Sequence, residues 1–98
     1  MTQIINEIPA IYYEYQKAFG PSVDWDKGCI IAYDNKIYVN AKYKLQADEI
    51  EHEETHLKQQ EKYTLSVWVA KYLTDPKFRL EMEIEAYKAQ CNYMRNFP

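Results

Sequence analysis

The sequence has little that would bind nucleic acid, cross a membrane or survive on disulfides. Its 12 Lys plus Arg are outnumbered by 15 Asp plus Glu, a formal charge of -3, and no basic run occurs. Such a chain has no positive field with which to collect nucleic acid. It has no apolar run of about 18 residues, so no membrane-spanning helix is expected. The N-terminus lacks the basic-then-apolar pattern of a signal peptide, and the expected compartment is the cytoplasm. Cys29 and Cys91 stand far apart, in no CxxC pair or zinc-finger spacing. Isolated buried thiols are expected from them rather than a disulfide. There is no internal repeat and no flexible linker.

The 98 residues are expected to form one domain, 1–98. A hydrophobic fraction of 47% with 28% charged residues suits a folded globular chain and not a disordered tail. Ten tyrosines can thicken a small core while keeping hydroxyls near water. The acidity is crowded into residues 48–61 and 81–85, which fits a cation site better than a phosphate site, although a solvated helix face shows the same pattern.

Apolar residues at spacings near three and four predict a helix over residues 2–19, or only from Pro9 onward, since proline is best tolerated in a first turn. Gly20-Pro21 ends it. After an irregular stretch at 22–27, residues 29–33 and Ile37-Tyr38-Val39 flank a polar turn and read as an antiparallel β-hairpin. A hairpin alone is marginal and must lie on the helices. Three helices follow, at residues 49–62, 64–73 and 77–94. Asp48 is the expected N-cap of the first, with Glu51 completing a capping box. Asp75 or Thr74 caps the last, with Pro76 near its first position. The expected fold is α+β, mainly helical, with a short hairpin.

The helix at 49–62 is anomalous. Ile50 and Leu57 are its only clearly apolar members, too few for the stripe that a helix in so small a domain should bury. His52 and His56, the only histidines of the chain, lie one turn apart on the same face. The segment His52-Glu53-Glu54-Thr55-His56 is HExxH, a frame that arises by chance in about one chain of this length in a few hundred. Two imidazoles so placed can reach one zinc ion at about 2.0–2.1 Å. Glu53, roughly 100° round the helix from His52, is near enough to act as general base on water at the metal. A catalytic zinc needs a third protein ligand. The acidic helix offers Glu81, Glu83 and Glu85, which step round by roughly 200°, so one or two at most face the metal.

These residues resemble a family. Glu51-His52-Glu53-Glu54-Thr55-His56-Leu57-Lys58-Gln59-Gln60, Asp75-Pro76-Lys77-Phe78-Arg79 and Glu83-Ile84-Glu85-Ala86-Tyr87 are similar to small gluzincin-like zinc metallopeptidase domains of phage and bacterial genomes, over about residues 28–91. The resemblance implies that the third zinc ligand is Glu83, three residues before Ala86. Where many relatives have an aspartate that orients a ligand histidine, this chain has Tyr87, which leaves the Tyr87 hydroxyl, Glu85 or Gln59 to take that part. It implies a peptide or protein substrate added as a strand along Ile37-Tyr38-Val39-Asn40 above the zinc helix. Gln59 and Gln60 read either as family residues or as packing amides. Tyr43, Tyr38 and Tyr87 are the available donors to a developing oxyanion. The expected function is zinc-dependent peptide-bond hydrolysis, with His52, His56 and Glu83 on zinc and Glu53 as base. The alternative is a zinc-binding structural or protein-interaction module without turnover.

Overall fold

The structure, a computed structural model, describes residues 2–96. Strand β1 (Gln3–Ile5) leads to helix α1 (Tyr12–Phe19), and two single 3-10 turns bring the chain to strands β2 (Ile30–Tyr33) and β3 (Lys36–Val39). Helices α2 (Ala47–Tyr63), α3 (Leu65–Thr74) and α4 (Pro76–Arg95) complete a mainly helical α+β arrangement.

The hairpin forms where expected. Asp34 and Asn35 both take positive φ, 51° and 64°, the two-residue turn that matches strand twist and favours Asp and Asn. Ala32 lies opposite Ile37 and Tyr33 opposite Lys36. The N-terminal helix, by contrast, is shorter than the periodicity predicts. Its first residues form β1, parallel to β3 with Ile4 beside Ile37, and helix begins only at Tyr12, whose N–H donates to the Pro9 carbonyl. Proline disfavours helix in the residue before it, and the β-branched pair Ile4-Ile5 suits a strand. Asn6 ties the end of β1 down by donating from Nδ2 to the Val39 carbonyl, 3.1 Å.

The strand order β1-β3-β2 corrects one expectation about substrate. The strand at Ile37 to Asn40 is not a free edge, because β3 is paired on both sides and Ile37 and Val39 are fully buried. The open edge facing the helices belongs to β2. Gln60 on α2 partly occupies it, donating from Nε2 to the Ala32 carbonyl at 2.7 Å and accepting from the Asp34 N–H at 3.2 Å.

The cap of α2 also differs. Gln46, not Asp48, is the N-cap, in a capping box with Glu49, and the Glu49 carboxylate accepts from the Gln46 N–H at 2.9 Å. One apolar cluster (Ala32, Ile37, Leu57) joins sheet to α2, and another (Trp68, Phe78, Met82) joins α3 to α4. Tyr15 of α1 stacks on Tyr72 of α3, ring centroids 5.9 Å apart, so the short α1 walls the space between these clusters. Among the described residues no helix is long and apolar enough to cross a membrane.

Candidate metal centre

His52 and His56 are buried on the face of α2 that packs against α4, which explains the missing apolar stripe: the face is buried, but by polar groups. Glu83 comes from α4 to lie between them. Its Oε1 is 3.3 Å from His52 Nε2 and its Oε2 is 2.8 Å from His56 Nε2. One ligand atom from each of the three residues lies within 4.8 Å of the others. Donors around a tetrahedral zinc at about 2.0–2.1 Å sit about 3.3 Å apart, so little movement separates this cluster from a ligand set. His52, His56 and Glu83 can hold a metal ion.

The orientation of each imidazole is fixed from behind. His56 Nδ1 lies 2.9 Å from Gln59 Oε1, while Gln59 Nε2 donates to the Met82 carbonyl at 3.1 Å and to Glu85 Oε1 at 2.7 Å. His52 Nδ1 lies 3.0 Å from Gln90 Oε1, and Gln90 Nε2 donates to Asp48 Oδ2 at 2.7 Å. In both glutamines an acceptor claims the NH2 group, so the oxygen must face the ring and the ring must carry its proton on Nδ1. Nε2 is thereby the free lone pair in each neutral imidazole, aimed at Glu83. Tyr72 steadies the third group, donating to Glu83 Oε2 at 2.8 Å.

The three groups shift one another's titration. Burial opposes a charge on either imidazole, but the hydrogen bond to Glu83 and the nearby Glu53 carboxylate outweigh it, so both titrate above their ordinary range. Burial likewise disfavours the Glu83 carboxylate, yet hydrogen bonds from His52 and His56 hold it well below the usual carboxylate range. Glu53 differs. Burial pushes it up to about 7, against the opposing pull of His56 and His52.

A cavity of about 220 Å³ opens over these groups, lined by Glu53, Tyr15, Tyr72, Trp68, Tyr87 and the β2 residues Ile30 to Ala32 together with His52, His56 and Glu83. Of the three tyrosines expected at the site only Tyr87 reaches the cavity, where Tyr15 and Tyr72 join it. Tyr87 is at the rim, its ring edge-on to His52 at 4.5 Å. Tyr43 instead donates to Glu49 Oε2 at 2.7 Å, and neither it nor Tyr38 lines the cavity. Glu85 braces Gln59, and exposed Glu81 stays outside the cluster. Cys29 is half-buried and Cys91 exposed, so the expectation of buried thiols fails for Cys91. Burial, then the carboxylates of Glu53 and Asp24, pushes the Cys29 thiol up to about 11.

Asp48 and Gln90, the pair behind His52, are not singled out as site residues by the sequence, although Asp48 lies one turn before His52 and Gln90 two turns after Glu83. Nor are Tyr15 and Tyr72, which line the cavity and for which no local spacing gives a signal. Comparison of the chain with protein-family models, curated proteins and solved structures returns no match.

Proposed function

We propose that the chain is a small zinc-dependent peptidase of gluzincin-like design. The observation that carries this reading is the meeting of His52 Nε2, His56 Nε2 and Glu83, with Glu53 beside them in one cavity. Two imidazoles and a carboxylate suit zinc, and three protein ligands leave a position for a reactant.

When bound, zinc supplies Lewis-acid polarisation of water and of a substrate carbonyl. Glu53 takes the proton of the attacking water on a carboxylate oxygen and hands it to the departing amine nitrogen. A carboxylate raised to about 7 by burial is suited to both transfers near neutral pH. The Tyr72 hydroxyl is committed to Glu83. The Tyr15 hydroxyl, like that of Tyr87 at the rim, has no hydrogen-bond partner among the described residues, and these two are the available donors to a developing oxyanion.

The substrate strand is assigned to β2 in place of β3. Backbone groups alternate in direction along a strand. With the Ala32 carbonyl turned outward to Gln60, the N–H and carbonyl of Ile30 point outward as well. Ile30 borders the metal cavity and two further hollows of about 320 Å³ each, so a peptide paired there runs past Glu53.

The test is Glu53→Gln. Wild-type chain loaded with zinc is expected to cleave members of a broad peptide library, and the variant to keep zinc while losing cleavage by about a hundredfold or more. Equal cleavage by both proteins contradicts the mechanism. Zinc retention with no cleavage by the wild type leaves the structural or protein-interaction module instead.

A further inference from the structure

Helix α4 carries two apolar stripes. One, with Phe78, Met82 and Ala86, is buried in the domain. The other lies on the opposite side, where Leu80, Ile84, Tyr87, Cys91 and Met94 follow at alternating spacings of four and three residues. Leu80 is 60% exposed, Ile84 45%, Tyr87 58% and Met94 58%, and Cys91 is exposed as well. A single stripe suffices to hold a helix on its own domain. An alternating four-and-three repeat over about two heptads is the seam with which a helix meets another helix.

We propose that this stripe pairs two copies of the chain, α4 lying antiparallel on α4 of the second copy about a twofold axis. Charge selects this occupant and this direction. Glu81 and Lys88 flank the stripe on one side, seven residues apart, and neither makes an ion pair among the described residues. The antiparallel register that sets Ile84 beside Tyr87 of the second copy, and Leu80 beside its Cys91, also sets Glu81 beside its Lys88. The twofold axis repeats that contact, giving two opposite-charge pairs. A parallel pairing would turn Lys88 toward the flank of Glu83, whose carboxylate is already held by His52, His56 and Tyr72. Flanking charges of this kind set orientation and partner choice more than raw affinity.

Tyr87 belongs to both the stripe and the rim of the metal cavity, so the seam runs beside the cleft. The pairing itself does not rest on the peptidase reading.

The test is sedimentation equilibrium of the full chain over a concentration series, zinc-loaded and metal-free. A mass twice the 11.8 kDa of one chain is expected at the upper end. Leu80→Glu, at a solvent-facing position, is expected to give monomer with unchanged circular dichroism. Glu81→Lys and Lys88→Glu are each expected to raise the dimer dissociation constant roughly tenfold, since both symmetric pairs turn repulsive. The two together in one chain are expected to restore it. A chain that stays monomeric throughout leaves the stripe to a different protein and overturns the proposal. A dimer that survives Leu80→Glu, or one whose affinity ignores the charge exchanges, overturns it too.

Discussion

Gln59 turns its carbonyl oxygen, and not its amide nitrogen, toward Nδ1 of His56, 2.9 Å away. It does so because Glu85 and the Met82 carbonyl take both protons of the NH2 group. A neutral glutamine, oriented by a carboxylate one step further out, thus fixes the imidazole. Gln90 and Asp48 repeat the device behind His52.

Removing that support is expected to weaken metal binding without unfolding the chain. Gln59→Leu and Gln90→Leu should each reduce zinc affinity by about 10–100-fold, read by competition with a chelator. Affinity equal to wild type in both variants would mean that the glutamines do not select the imidazole tautomer.

The metal-free chain is expected to lose stability as pH rises from about 5 to 8. His52 and His56 titrate above the ordinary 6.5, where hydrogen bonding to Glu83 outweighs burial. Their contribution is full below about 6.5 and disappears as pH rises through the folded values. Glu53 acts in the same direction, because its pKa rises from 4.5 unfolded to about 7 folded. Glu83, held low, contributes stability above about 4.5 and loses it only in acid. Thermal melts across this range in chelator should show a falling midpoint; a flat or rising one would contradict the assigned shifts.

Zinc is expected to reverse that trend. The ion competes with protons for the same ligand atoms, so its affinity rises with pH, and binding to the folded chain alone raises the melting temperature with free zinc. The gap between zinc-loaded and metal-free melting temperatures should therefore widen from pH 6 to 8. A gap that narrows would place the metal on groups other than these histidines.

The central strand should be the least tolerant part of the sheet. Ile37 is fully buried between β1, β2 and α2, and Ile37→Ala is expected to cost about 2–5 kcal/mol in denaturant unfolding. A change below 1 kcal/mol would argue that β3 lies at an edge after all.

Local pattern made some of this legible and long-range pairing hid the rest. The hairpin follows from the polar turn Asp34-Asn35-Lys36 between β-branched runs, although Lys36 itself joins β3, and α4 follows from Asp75-Pro76. The histidine pair stood out because its helix lacked an apolar stripe. The partner of a strand lies outside any local window, so periodicity alone extends the first helix back over β1 unless it starts at Pro9, and gives β3 no partner beyond β2. The cap is Gln46 and not Asp48, although Gln46 with Glu49 shows the same three-residue spacing that suggests Asp48 with Glu51. Gln90 across the site engages Asp48, a contact that no spacing within α2 displays. Resemblance alone singles out Glu83, since Glu81, Glu83 and Glu85 are alike as a charge pattern. Only packing sets Glu83 between the imidazoles and turns Glu85 to Gln59.

The most direct measurement is zinc stoichiometry by native mass spectrometry, for the wild type and Glu83→Ala after stripping and reloading. One tightly held zinc per wild-type chain, lost or much weakened in Glu83→Ala, is the expected result. No zinc in the wild type, or equal retention in both proteins, would contradict a centre built from His52, His56 and Glu83.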